Sequence, residues 1–226
     1  MARASSLYGP IPVRKASGFA RLDGGLPPAQ VSSERAVGAF FGPAGTIVFQ
    51  AEEGQAEYLF RVREDGSGRQ KVTADPVIWV MSVSPGGRWA VVWTQGSADA
   101  PSRPLVAYPL GGGDGVRLCD NCAGVNGPTR GNQPPMLTWS PDGHYLYITL
   151  QTLTPIDRQY ETGRTYAVRL ARASALPPAF TDETDVASIP GVLVIPHGGI
   201  FPGPTPSLYA YTRTTTHRNI YRIPVP

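Results

Sequence analysis

Two cysteines three positions apart form the motif with the most obvious chemical potential. The spacing of Cys119-Asp-Asn-Cys122 occurs in metal sites and in redox centres. A structural zinc site needs about four ligands, but there is no second cysteine pair, and His144, His197 and His217 would have to be brought in by the fold. A redox centre would be expected in a βαβ setting, which the surrounding pattern lacks. We expect a structural pair, either a disulfide or two free thiols that pin a loop, with no metal.

Other segments that suggest catalysis or ligand binding lack the required spacing. Gly111-Gly-Gly-Asp-Gly115 lacks the spacing of a P-loop and precedes the strand-like Val116-Arg-Leu118 rather than a helix, so a β-turn is expected. Asp65-Gly-Ser-Gly68 lacks the ligand spacing of a calcium loop. No G-x-S-x-G elbow and no kinase glycine or catalytic loop occurs. The sequence therefore predicts no catalytic residue, no cofactor and no enzyme activity of its own.

Charge and hydropathy narrow the classes of partner. The net charge of +3 comes almost wholly from scattered arginines, since Lys15 and Lys71 are the only lysines, so no nucleic-acid partner is expected. No stretch approaches the roughly 20 apolar residues of a membrane span. Residues 1–15 lack an apolar core of signal-peptide length. Apolar residues instead cluster in short bursts between 26 glycines and 24 prolines, a pattern typical of many short strands and tight turns.

A repeated hairpin dominates the chain. Each copy places a proline turn between a short alternating strand and an aromatic or β-branched strand. The first interval between turn prolines is 42 residues, close to the roughly 40–45 residues of a four-stranded propeller blade. The later intervals are longer, and the loops 111–135 and 152–163 would hold the insertions. The four turn prolines are Pro43, Pro85, Pro141 and Pro204.

The third repeat has the most complete turn. Ser140 suits the first position of a type I turn, Pro141 the second with its fixed φ, Asp142 the third, and Gly143 accepts a positive φ at the fourth. In the first two hairpins the same positions are predicted for Pro43 and Gly45 and for Pro85 and Gly87. On this alignment Gly86, at a third position, is expected to have a negative φ.

The strand pattern predicts an all-β fold, a β-propeller of four-stranded antiparallel blades. Third strands are expected at 58–62, 105–108, 166–170 and 220–223, and short fourth strands at 69–73 and 116–118. No helix of ordinary length is predicted, because 164–176 alternates as a strand before a short helical turn. A β-sandwich is the alternative. Blade packing accounts for the four tryptophans, of which at most one is expected to face an axial funnel.

At this point the residues resemble a known family. Trp139-Ser-Pro-Asp-Gly-His-Tyr-Leu-Tyr147 resembles the WD40-like PD40 repeat of TolB-type propellers, and Asn219-Ile-Tyr-Arg-Ile-Pro224 is similar to the third strand of that repeat. The resemblance covers roughly residues 36–226. The hairpins depart from it at Gly86 and Ala44, where the family has Asp, and at Pro204, which lacks the Gly.

The resemblance implies a function of binding rather than catalysis. Such repeats occur in periplasmic TolB-like proteins, before prolyl-oligopeptidase-type hydrolase domains, and as sensor modules of bacterial serine/threonine kinases. The expected function is a non-catalytic binding or sensory propeller that engages a protein or peptide through its loops and axial funnel. The alternative is a regulatory propeller severed from such a hydrolase or kinase, with the attached domain in a longer chain. The location would be periplasmic or extracytoplasmic in the TolB-like and receptor-kinase cases and cytoplasmic otherwise.

The repeat spacing predicts about five blades in one propeller domain spanning 1–226. Residues 1–35 would form an N-terminal half-blade, with its strands between 12 and 31, and the successive blades would span 36–77, 78–133, 134–180 and 181–226. A TolB-like ring usually has six blades. The chain is therefore expected to be a fragment, a ring closed by pairing its two ends, or an open arc with edge strands that another domain covers.

Overall fold

Short antiparallel strands form almost all of the regular structure. The computed structural model describes residues 18–19, 29–30, 36–95, 104–120, 136–153, 160–198 and 200–211. These residues contain sixteen strands and one helix of six residues. The prediction of an all-β, antiparallel protein with little helix is confirmed.

The first four-stranded sheet follows a short pair of strands. β1 (Gly18–Phe19) pairs with β2 (Ala29–Gln30), inside the predicted half-blade. The sheet itself pairs its strands antiparallel in chain order. It consists of β3 (Ala36–Phe41), β4 (Thr46–Glu53), β5 (Ala56–Arg63) and β6 (Gln70–Lys71).

The second and third sheets repeat this order. The second consists of β7 (Val77–Val83), β8 (Trp89–Thr94), β9 (Leu105–Pro109) and β10 (Val116–Cys119). The third consists of β11 (Met136–Trp139), β12 (Tyr145–Leu153), β13 (Tyr160–Arg169) and β14 (Leu193–Ile195), with the helix α1 (Glu183–Ser188) between its last two strands. A final hairpin pairs β15 (Phe201–Pro202) with β16 (Tyr209–Ala210).

The first strand of each sheet contacts the first strand of the next. β3 contacts β7, β7 contacts β11, and β11 contacts β15. We call these four strands the inner strands. Four-stranded meanders that meet along their first strands are the arrangement of consecutive propeller blades. The described residues form no closed ring, and the predicted strand at 220–223 lies outside them.

Two apolar layers hold the three sheets together. Successive side chains of a strand point to opposite faces, so the second sheet contributes to both layers. Val92 and Val106 pack toward the first sheet with Val48 and Leu59. The layer toward the third sheet is larger and is formed by Val91, Trp93, Leu105, Leu137, Trp139, Leu146, Ile148 and Val168 among others. Each such buried side chain stabilises the stack by roughly 1.5–3 kcal/mol.

The strands differ from the predicted bounds in the third sheet. β12 and β13 stay paired as far as Leu153 and Tyr160, so the predicted loop 152–163 has strand at both of its ends. The fourth strand β14 pairs with β13 although it lies beyond residue 180, where this blade was expected to end. The intervening residues 170–192 hold α1, where Asp182 caps the first turn by accepting from the backbone N–H groups of Thr184 and Asp185.

The turns at Pro43, Pro85 and Pro141, three of the four predicted proline turns, have three different conformations. In the third sheet the N–H of Gly143 bonds to the carbonyl of Ser140, Asp142 keeps a negative φ, and Gly143 has φ 73°. In the second sheet the same bond joins Gly87 to Ser84, but both Gly86 and Gly87 have positive φ, 75° and 67°.

A positive φ at the third position is the mark of a type II turn. The prediction of a negative φ at Gly86 is therefore wrong. In the Ser140 turn, by contrast, Asp142 has a negative φ, and its carboxylate accepts bonds from the Ser140 hydroxyl and the His144 backbone N–H.

The first hairpin turns one residue later than its proline suggests. The N–H of Thr46 bonds to the carbonyl of Pro43, so Pro43 is the first residue of the turn and not the second. The two central residues, Ala44 and Gly45, both have positive φ, 50° and 68°. These signs are those of a type I′ hairpin, whose twist matches that of the flanking strands.

Candidate functional site

Trp79 on the inner strand β7 is the one exposed residue among the four tryptophans of the chain. The pairing of β7 with β8 shifts between Val77 and Trp79 and again between Val80 and Ser82. Val77 and Val80 are buried between the first two sheets, whereas 53% of Trp79 is exposed. Because a β-bulge redirects the side chain beside it, the chain presents this indole to solvent instead of adding it to the core.

Gln50 holds the backbone on both sides of Trp79. This residue of β4 is buried, and its Nε2 donates to the carbonyl of Ile78 (3.1 Å). Its Oε1 accepts from the N–H of Val80 (3.2 Å). A carboxamide carries a donor and an acceptor side by side, so it pairs with the edge of β7 as a neighbouring strand would. The bulge is thereby pinned to the first sheet.

A cleft lies next to this contact. It has a volume of about 410 Å³ and lies between the β4–β5 turn and the start of β7. Glu57 is half-buried in it and accepts a hydrogen bond from the same Nε2 of Gln50 that bonds to Ile78. We call it the Glu57 cleft; its lining residues are Glu52, Gln55, Ala56, Glu57, Val77, Ile78 and Gln95.

A second, larger cleft meets the first at Gln95. It has a volume of about 660 Å³ and runs between the segment 72–76 and strands β9 and β10. The Tyr108 hydroxyl donates to Asp75 in its wall, at 3.2 Å. Burial raises the pKa of Tyr108 to about 12, and the charge and hydrogen bond of Asp75 add to the increase, so the phenol stays protonated at neutral pH. We call it the Tyr108 cleft; Thr94, Asp114 and Arg117 are further polar lining residues.

The predicted turn residues lie together at one end of the sheets. A Cβ added to Gly87 would overlap the ring of Pro43, so the first and second turns are in backbone contact. The Ser174 hydroxyl donates to the carbonyl of Pro85, and the Ser174 N–H donates to the carbonyl of Gly143. The turns therefore join neighbouring sheets and are structural contacts, distinct from the two clefts.

The cysteine motif is only partly described. Cys119, at the end of β10, is buried and disulfide-bonded. Cys122, the chain's other cysteine, lies outside the described residues, so the pairing of the two stays a prediction. Within the described ranges, no group of three or more His, Cys, Asp or Glu side chains could hold a metal ion.

None of these site residues was singled out by the sequence, in which Trp79 is one of four tryptophans of which at most one was expected to face an axial funnel. Trp93 and Trp139 are buried between sheets and Trp89 packs against that layer, as blade packing predicts, which leaves Trp79 as the outward-facing one. Gln50 and Glu57 carried no signal, because a glutamine and a glutamate on an exposed-looking hairpin are ordinary surface residues. Across the described segments, no helix is long and apolar enough to span a membrane.

Known proteins include a structural neighbour of this chain but no matching family. No family model matches the chain, and no curated protein matches it. Among solved structures, the chain is similar to TolB from Acinetobacter baumannii, with a TM-score of 0.47 and 17% sequence identity. The match covers 67% of this chain but only 35% of that TolB chain, so the chain spans about a third of the length of this structural neighbour.

Proposed function

We propose that this chain is a non-catalytic binding module that holds a protein or peptide partner on the inner-strand surface around Trp79. The observation that carries the proposal is the exposure of an indole that the bulge and Gln50 hold in place. Tryptophan is enriched among the residues that dominate binding energy at protein interfaces. A rigid presentation also reduces the entropy lost on binding.

The surroundings of Trp79 support a peptide-sized partner. The two clefts that meet at Gln95 have volumes of about 410 and 660 Å³, within the roughly 300–1,000 Å³ of small-ligand pockets. Adjacent residues line them, Pro76 the larger cleft and Val77 the smaller, and Val77 lies at the start of the bulge. Side chains of a bound peptide would fill the clefts while Trp79 anchors its backbone or an apolar residue.

Random-peptide display on the immobilised full chain tests the proposal. Enriched peptides are resynthesised and their Kd is measured by calorimetry with the unmodified chain, Trp79→Ala and Leu193→Ala. Leu193 on β14 is a matched control because 49% of it is exposed, close to the value for Trp79. We expect Trp79→Ala to weaken binding at least tenfold, about 1.4 kcal/mol, and Leu193→Ala less than twofold. Failure to enrich any peptide, or equal affinity for the Trp79→Ala variant, would reject the proposal.

A further inference from the structure

The charges that line the two clefts are mainly of one sign. Glu52 and Glu57 line the Glu57 cleft, and Asp75 and Asp114 line the Tyr108 cleft. Among the described lining residues of both clefts, Arg117 is the single basic one, and it is ion-paired with Asp120 (2.9 Å). The chain as a whole is basic, with a net charge of +3. The clefts therefore concentrate negative charge against the overall charge of the protein.

We propose that the joined clefts bind an extended cationic peptide, with lysine or arginine side chains seated in the Glu57 and Tyr108 clefts. This inference rests on the proposed function and specifies the chemistry of the partner. Complementary charge gives an interface specificity and speeds association. A partner with acidic side chains would be repelled by the same four carboxylates.

The Glu57 cleft has the acceptors that an ammonium or guanidinium needs. Gln50 donates to one oxygen of Glu57, Oε2, while the side chains of Glu52, Gln55 and Gln95 also line the cleft. A lysine ammonium has three donors to satisfy. Ile78 lines the same cleft and immediately precedes Trp79 in the chain, although the indole itself is not among the described lining residues.

The Tyr108 cleft provides a second acidic site, which a peptide bound in the Glu57 cleft could reach past Gln95. Asp114 is exposed, within the Gly113-Asp-Gly115 segment of the cleft wall. Asp75 is held by the Tyr108 hydroxyl and is oriented by it. Because Gln95 lines both clefts, one extended peptide can reach both with side chains that are not adjacent.

Three synthetic peptides test the charge preference on the full chain. The first is an acetylated, amidated heptapeptide of alternating glycine and lysine. In the other two, glutamate or uncharged norleucine replaces every lysine. We expect the lysine peptide to bind at least tenfold more tightly than either counterpart by calorimetry. Raising the NaCl concentration from about 50 to about 500 mM should weaken it severalfold, because salt screens exposed charges.

Paired variants locate the binding. Glu57→Gln and Asp114→Asn should each weaken the lysine peptide by threefold or more, and Glu64→Gln, which lies outside both clefts, should leave its Kd within twofold. Circular dichroism and thermal unfolding confirm that each variant is folded. Asp114→Asn lies on an exposed segment, so it tests the inference even if Glu57→Gln disturbs Gln50.

Equal binding of the norleucine peptide, or unchanged affinity in both cleft variants, overturns the inference. If display peptides without basic residues still require Trp79, the proposed function stands and only the cationic specificity fails.

Discussion

The hydroxyl of Ser174 donates to the carbonyl of Pro85 at 2.7 Å and so joins the third sheet to the hairpin turn of the second. Ser174 lies in the connection after β13, 89 residues from Pro85, and is buried with a φ of 54°. Its backbone N–H bonds to the carbonyl of Gly143. One residue in a strained conformation thus connects two consecutive turns.

Removing this hydroxyl should weaken the contact between the sheets. We expect Ser174→Ala to lower the free energy of unfolding by about 1 kcal/mol, because the positive φ remains while a buried hydrogen bond is lost. Ser188→Ala is the control: its hydroxyl also donates to a carbonyl, that of Asp185, but it is exposed and should cost less than about 0.5 kcal/mol. Urea denaturation measures both, and equal losses would show that the Ser174 bond contributes nothing specific.

The two adjacent glycines of the second turn should tolerate alanine differently. At Gly86 a Cβ would meet open space, so Gly86→Ala should cost only the strain of its positive φ, about 1–2 kcal/mol. At Gly87 the same φ strain is joined by overlap with Pro43, which adds about 1–3 kcal/mol of overpacking. Unfolding midpoints in urea compare the two directly. A greater loss for Gly86→Ala would mean that the first and second turns are not in contact.

Gln50→Leu should loosen the bulge that presents Trp79. The substitution replaces the carboxamide with an apolar side chain of similar size. The carbonyl of Ile78 and the N–H of Val80 then lose their hydrogen-bond partner. Each unsatisfied buried group costs about 1–3 kcal/mol. The backbone amide of Val80 should exchange its hydrogen with solvent faster in Gln50→Leu than in the unmodified chain.

An exposed glutamine provides the control for Gln50. Gln70→Leu on β6 removes a carboxamide that bonds to Arg61 at the surface and should change stability by less than about 0.5 kcal/mol. Unchanged exchange at Val80 in Gln50→Leu would show that the amide does not hold β7.

The Asp142 carboxylate should make the fold sensitive to acid. A hydrogen bond from the Ser140 hydroxyl, then one from the His144 backbone, lowers the pKa of Asp142 below its ordinary value of 3.8. A folded pKa below the unfolded one gives stability that is present above pH 3.8 and is lost as the pH falls through the folded pKa. Asp142→Asn should therefore lose less stability between pH 6 and pH 2.5 than the unmodified chain, as followed by urea midpoints. Identical acid sensitivity would contradict the turn network.

Much of the architecture was predictable because its causes are local. The alternation around Trp139 and the turn Ser140-Pro-Asp-Gly143 specify a hairpin within about ten residues, and the strands lie where that hairpin places them. Gly86 was mispredicted because glycine accepts either sign of φ, so its sequence position alone does not choose between a type I and a type II turn. The contact with Pro43, 44 residues earlier, restricts the neighbouring Gly87 instead.

By itself the sequence determined the class of fold, the repeating four-stranded unit and the absence of a recognisable catalytic motif. These follow from side-chain period, turn chemistry and motif spacing, all of which act over a few residues. Only the tertiary structure decided that Trp79 faces solvent, that Gln50 holds its backbone, and that carboxylates from two strands and two loops line the two clefts. Gln50 lies 28 residues from Ile78, and no local pattern encodes such a pairing, because it arises only when one sheet packs against the next.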